Sequence, residues 1–308
     1  MKESRSSLPD YLSIPAADLG KGTSVKVRIL GDMMSVAVDM AESLKAEIVA
    51  ANREGRGATF IIPVGPVDQY PILAEGINKE RISCANVVFI GMDEYLTEED
   101  EWLPLEHPLS FRGFLNRKFY DLLDPALAPP QEQQIFPDPR NLGAMPELIA
   151  RRGGVDVCYG GIGMVGHIAF NEPIRIGAGT ASSPQQNAGT AKSGDKAVPA
   201  PSMCVEEFAA LPTRALDLTP ETRTINAVTV GGEIGIIPQR AVTVGMKEIL
   251  GARRLRLYCN RTWQSAVVRR VLHGPVTAEC PASLMRLHAD ACVTMAEYVG
   301  EPPEIKLR

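Results

Sequence analysis

Two short runs constrain this chain more than any other feature. Residues 59–64 (TFIIPV) and 86–91 (NVVFIG) are nearly all apolar and are bounded by turns. A strand with one face in water alternates apolar and polar residues, whereas a strand covered on both faces reads as a continuous apolar run. Strands covered on both faces belong to parallel sheets, and parallel strands need crossover helices between them. The sequence supplies these. Residues 70–77 read as a crossover helix, 111–123 and 145–151 as further helical stretches, and 155–159 as the next buried strand. Later, 241–245 reads as a strand or turn opening a helix at 246–250, followed by a strand at 255–259, a helix at 264–272 and a last strand at 291–295. Near the start, Val25, Val27 and Ile29 alternate with Lys26 and Arg28, as in a half-exposed edge strand. Gly31-Asp32 then offers a cap to a long helix, whose stripe is Met33, Ala37, Met40, Ala41, Leu44, Ile48 and Ala51, ending near Gly55. The expected fold class is a doubly wound, mostly parallel α/β sheet, Rossmann-like, with helices on both faces.

Residues 1–23 are polar with two prolines and read as a surface arm, and 24–300 as a single domain. From 177 to 197 there is no large apolar side chain, so a mobile lid or insertion is expected at about 175–203. The 308 residues carry 45% hydrophobic and 22% charged side chains, with a net charge of −5, which gives no electrostatic footprint for nucleic acid or an anionic membrane. No apolar run approaches the roughly 20 residues needed to cross a bilayer, and the first residues lack a secretory core, so a cytoplasmic protein is expected. Six scattered cysteines without a C-x-x-C pair read as structural thiols of a reducing compartment, not a metal site.

In a doubly wound sheet, ligands bind beyond the carboxyl ends of the strands. Two such ends carry acid–base groups: Asp93-Glu94 after the run at 86–91, and His167 after the strand at 155–159. His167 follows a turn with glycines at 160, 161, 163 and 166, expected to take positive φ and aim N–H groups at a bound anion. Glu172 stands five residues on, in reach to orient the imidazole. The same turn satisfies G-x-G-x-x-G, but Pro173 interrupts any helix and no acid stands about 20 residues later, so no dinucleotide is expected. Glu94 and His107 read as structural, and His273 and His288 as lying on surfaces or helix ends.

Three blocks together resemble the glucosamine-6-phosphate deaminase/isomerase family, within the 6-phosphogluconolactonase-like superfamily. They are Met92-Asp93-Glu94-Tyr95; Glu106-His107-Pro108 with Ser110-Phe111; and Gly160-Gly161 with Gly163, Gly166-His167, and Phe170-Asn171-Glu172-Pro173. Residues 241–245 (AVTVG) are similar too. The resemblance implies aldose–ketose isomerisation of an amino sugar with loss of ammonia, through an enediol-type intermediate and without a cofactor. Asp93 would carry a proton between C2 and C1, His167 would shuttle the ring-oxygen proton, and Glu172 would hold and charge-balance that imidazole. Gly65, Gly161, Gly163, Gly166, Arg214 and Arg261 would bind a sugar or sugar phosphate. The class implied is a hydrolase-type deaminase, compatible with a homo-oligomer, with no nucleic acid or membrane partner.

The chain departs from the family in three places. Val165 replaces an aspartate two residues before the histidine. The phosphate turn after the first core strand reads Val64-Gly65-Pro66-Val67-Asp68, without hydroxyls. Arg214-Ala215-Leu216-Asp217 keeps only the arginine of a phosphate contact, and 260–264 (NRTWQ) offers Arg261 where a lysine is expected. Each lost charge-assisted bond removes about 1.5–3 kcal/mol of grip on a phosphate. An unphosphorylated sugar, a non-catalytic sugar-binding homologue and a sugar lactonase are therefore the alternatives.

Overall fold

The structure is a computed structural model and describes residues 8–66, 68–174 and 203–306. Seven parallel strands form the main sheet: β1 (Lys26–Leu30), β2 (Ala58–Ile62), β3 (Val87–Gly91), β5 (Gln134–Ile135), β6 (Val157–Gly161), β9 (Arg254–Cys259) and β10 (Ala291–Ala296). Their order is β1-β10-β9-β6-β2-β3-β5. The chain lays β2, β3 and β5 outward in one direction and β6, β9 and β10 in the other, so the order reverses between β2 and β6. A crevice opens there because the connecting segments diverge to opposite sides.

The sheet follows its sequence signals. Every residue of β2, β3 and β10 is buried, whereas β1 is an edge strand with Lys26 and Arg28 exposed. Helix α1 (Met33–Arg53) buries the expected stripe from Ala37 to Ala51, with Val36 buried at its start in place of exposed Met33, and is capped by Asp32, whose carboxylate accepts from the Ser35 N–H at 2.7 Å. The other helices are α2 (Gln69–Glu80), α3 (Phe111–Lys118), α4 (Ala144–Arg151), α5 (Val205–Ala209), α6 (Pro220–Ala227), α7 (Met246–Leu250), α8 (Gln264–His273) and α9 (Glu297–Gly300). The segment before β1 makes two short 3-10 turns, Asp10–Ser13 and Ala16–Asp18. Fully buried Arg269 of α8 fastens it by donating to the Ile14 carbonyl at 2.9 Å. Five of the six cysteines are buried free thiols, and exposed Cys204 caps α5. The lid or insertion expected at about 175–203 lies outside the described residues up to 202.

A second sheet was not legible. Strands β4 (Asp93–Leu96), β8 (Arg240–Thr243) and β7 (Arg214–Asp217) pair antiparallel in the order β4-β8-β7. Met92 joins the two sheets: its N–H donates to the Ile62 carbonyl at 2.9 Å, and its carbonyl accepts from the Val244 N–H at 2.7 Å. The chain thus passes from β3 straight into β4 and sets Asp93 at the mouth of the crevice.

Candidate active site

A cavity of about 380 Å³ lies across the carboxyl ends of β9, β6, β2 and β3, four adjacent strands. Its walls are the loops that leave these strands: Pro63 to Pro66 after β2, Met92-Asp93 after β3, Gly161 to Gly163 after β6, and Asn260 to Gln264 after β9. Tyr70 holds the first loop by donating its hydroxyl to the Pro63 carbonyl. Tyr95, Phe111 and Phe170 close one side as an aromatic cluster with ring centroids 4.9–6.0 Å apart.

Asp93 and His167 both face this cavity. Burial, followed by repulsion from Glu94, pushes the Asp93 carboxyl up to about 8. Burial lowers His167 to about 4, so the imidazole is neutral near pH 7. A carboxyl and a neutral imidazole over one hollow can accept and return protons on opposite sides of a bound molecule.

The glycine turn serves a different purpose from the one expected. Among glycines 160, 161, 163 and 166, only Gly166 has positive φ, at +81°. Gly163 is needed for space, since a Cβ there would stand 1.9 Å from His167 Nε2. The N–H groups of Gly163 and Gly166 are not free for an anion either. They donate at 2.9 Å to the carbonyls of His167 and Gly163, respectively, folding the turn onto the imidazole. Gly166 lies outside the cavity wall, and a Cβ on it would meet Cys280 Sγ at 2.5 Å. Ala169, in the wall, takes a left-handed φ of +52°, a conformation uncommon for a residue with a Cβ.

Of the other candidates, Gly65, Gly161 and Arg261 line the cavity. Arg214 does not; it is turned into the frame, where Nη1 donates to Asn171 Oδ1 at 2.7 Å. Asn171 in turn donates to the carbonyls of Ile168 and Val244. Glu172 is also displaced from its expected task. Its carboxylate accepts from the Thr219 N–H at 2.9 Å and the Thr219 hydroxyl at 2.8 Å, at the start of α6, and makes no hydrogen bond to His167. The group beside His167 Nδ1 is the Thr222 hydroxyl, at 3.5 Å. Glu94 is structural, as expected. Fully buried, it accepts from the N–H groups of Tyr95, Phe111 and Arg112 and from the Ser110 hydroxyl at 2.8–3.0 Å. His107 Nδ1 accepts from the Leu109 N–H, and His273 ends α8. His288 stands at a helix end, as the C-cap of the 3-10 helix Pro281–Leu287, and is buried there with Nε2 2.8 Å from the Ala252 carbonyl.

Sequence reasoning missed Tyr95, Asn226 and Trp263 in the wall and Thr222 behind it. A signal for two of these existed. Thr219-Pro220 is an N-cap followed by proline at N1, and it predicts a helix that would put Thr222 and Asn226, four residues apart, on one face.

Sheet order, crevice and the carboxyl–imidazole pair make this an α/β protein with an acid–base site at the switch point of its sheet. No family model matches the chain. It is 30% identical to the glucosamine-6-phosphate deaminase of Streptomyces coelicolor over 85% of both chains. With that of Corynebacterium kroppenstedtii it is 30% identical over 83% of this chain and 86% of the other. A solved monomeric glucosamine-6-phosphate deaminase superposes with a TM-score of 0.68 at 22% identity, over 89% of this chain and 98% of that one. The 6-phosphogluconolactonase of Trypanosoma cruzi superposes at 0.58 and 14% identity, over 89% and 95%. The solved structures share the fold. The chain belongs to the glucosamine-6-phosphate deaminase family, as its three sequence blocks implied.

Proposed function

We propose that the chain catalyses the aldose–ketose isomerisation of an amino sugar with release of ammonia. The observation that carries this reading is the placement of Asp93 and His167 on one cavity at the switch point of the sheet. Neutral His167 gives a proton to the ring oxygen and takes one from the adjacent hydroxyl, opening the sugar to its aldehyde. Ionised Asp93 removes the proton from C2, and the electron pair moves toward the carbonyl to form an enediol-type intermediate. The same carboxyl returns the proton to C1, and the proton gained by O1 is balanced by one that the amino nitrogen gives up. The C2 imine that results takes up one water and releases ammonia, so the overall reaction is hydrolytic although its difficult step is an isomerisation. We further propose that it acts in the cytoplasm on a free small sugar. Among the described residues, Arg261 is the sole lysine or arginine in the cavity wall, and it is the group assigned to an anionic end of that sugar.

The test is to incubate the protein with glucosamine 6-phosphate and with glucosamine and to assay ammonia and ketose. Release of both products, abolished by Asp93→Asn, is expected. An Asp93→Asn variant as active as the parent would show that another group is the base.

A further inference from the structure

In this chain the carboxylate nearest in sequence to His167 does not touch it, while a helical residue 55 positions further on does. Glu172 receives both hydrogens of Thr219, the N-cap residue of α6, at 2.9 and 2.8 Å. The Thr219 hydroxyl in turn accepts from the Thr222 N–H at 3.4 Å, the usual N-cap bond. One turn into α6, the Thr222 hydroxyl, 1% exposed, stands 3.5 Å from His167 Nδ1. One turn further, Asn226 Nδ2 donates to the Tyr95 hydroxyl at 2.8 Å, and both of these residues line the cavity. Residues 222 and 226 share a face because they lie four apart on a helix. The two sides of the cavity are therefore held by one short helix, and that helix is fixed at its start by Glu172.

We infer that Thr222 is the positioning residue of His167, that Glu172 acts on the imidazole only through the cap of α6, and that the imidazole consequently works as a neutral group with a hydroxyl partner. A carboxylate partner stabilises imidazolium and fixes one tautomer, with the proton on the nitrogen facing it. A hydroxyl is different. It donates to a bare Nδ1 or accepts from Nδ1–H with equal ease, so either tautomer keeps its hydrogen bond. Such a partner suits a group that must give a proton and then take one at the same nitrogen, without leaving a buried ion pair. The other titratable groups of this cavity wall are Asp93, Tyr95, Tyr258 and Arg261, and Cys280 lies against the turn at Gly166. Among the described residues none of them hydrogen-bonds Nδ1, where the Thr222 hydroxyl stands. The lowered pKa of His167 has burial as its cause, in agreement with a neutral partner.

Ring-nitrogen chemical shifts of His167 in the whole protein, followed over pH, test this directly. Thr222→Val keeps the shape and removes the hydroxyl, so the two ring nitrogens should shift toward a different tautomer ratio. Thr222→Ser should restore the parent shifts, and Thr222→Asp should raise the pKa of His167. Glu172→Gln should speed amide exchange along α6 and disturb His167 in the same sense as Thr222→Val. Parent-like shifts in Thr222→Val would overturn the inference. So would a fall in the His167 pKa in Glu172→Gln with α6 exchange unchanged, because that is the signature of a direct ion pair. The rate arm rests on the function proposed above. With an amino sugar that is turned over, Thr222→Val should lower kcat about tenfold at constant KM, part of the 10²–10⁴ that general acid–base catalysis contributes. If no amino sugar is turned over while the shifts move as described, the functional reading fails and the positioning role stands.

Discussion

The wall of the cavity and the frame behind it carry the same kinds of charged residue in opposite conditions. Asp93 and Glu94 are neighbours on β4, and side chains alternate along a strand, so one points into the hollow and the other away from it. Glu94 receives four donors and caps the start of α3. Asp93 receives none from the described residues and is left with a carboxyl pushed up to about 8. The arginines repeat the contrast: Arg214 is bonded to Asn171 inside the frame, while Arg261 is exposed at the cavity with no ion pair among the described residues. Groups that already have their partners hold the geometry. Groups without them are free to bond a substrate whose charge changes during reaction, which is where binding becomes catalysis.

Exchanging one atom in each neighbour tests that division most severely. Asp93→Asn should lower ammonia release by about a thousandfold, within the range for loss of a general base, and leave the fold intact because the amide is neutral as the protonated acid is. Glu94→Gln should do the reverse. It turns an NH2 toward backbone donors and breaks a buried charged network, at a cost of about 3–5 kcal/mol. That should lower Tm by roughly 10 °C, read by calorimetry. Equal stability losses in the two variants would erase the distinction.

Titration separates the two regions next. Asp93 has its folded pKa raised from 3.8 to about 8, so the folded chain holds that proton more tightly than the unfolded one. Its stabilisation is complete below pH 4 and is lost as pH rises toward 8. His167 is lowered from 6.5 to about 4, so its contribution is present above pH 6.5 and is lost as pH falls toward 4. Asp93→Asn should therefore gain in Tm relative to the parent between pH 5 and pH 9. On the proposed mechanism the ionised carboxylate is the base, so activity should run against stability, and kcat should rise with pH along a limb near 8. A parent whose kcat is flat from pH 6 to 9 would mean that Asp93 is not the titrating base.

How much of this was legible follows the same line. Six strands of the main sheet declared themselves, because strands such as β2 and β3 are buried on both faces and can contain little but apolar residues, whereas β5, two half-buried residues, gave no signal. The small sheet declared only β8, read as a strand or turn at 241–245. β4 opens on two acids and reads as a loop, and β7 is half-exposed with no alternation. What makes β4 a strand is tertiary: β8 at its side and the start of α3 over Glu94. Asp93 and His167 were legible through the order of the blocks. The partner of Glu172 was not, because Thr219 is 47 residues away and nothing in local spacing selects it over the imidazole five residues back. The glycine turn was misread for a related reason. Composition suggests positive φ, but Gly163 is small because an imidazole lies on it, a contact that exists only once the chain has folded.

The smallest effects belong to the arginines, and they sharpen the contrast by their kind more than their size. Arg214→Ala removes a part-buried bond to the amide that holds two carbonyls, and should cost about 1–3 kcal/mol, a Tm loss of several degrees with KM hardly changed. Arg261→Ala touches no described bond of its side chain, so Tm should stay within a degree. Its effect should appear only with a charged sugar. The loss of one exposed charge-assisted bond should raise KM for glucosamine 6-phosphate about tenfold, and leave KM for glucosamine where it was. A KM that rises equally for both sugars would show that Arg261 shapes the wall without reading charge, and the anionic end would then have to be sought elsewhere in the cavity.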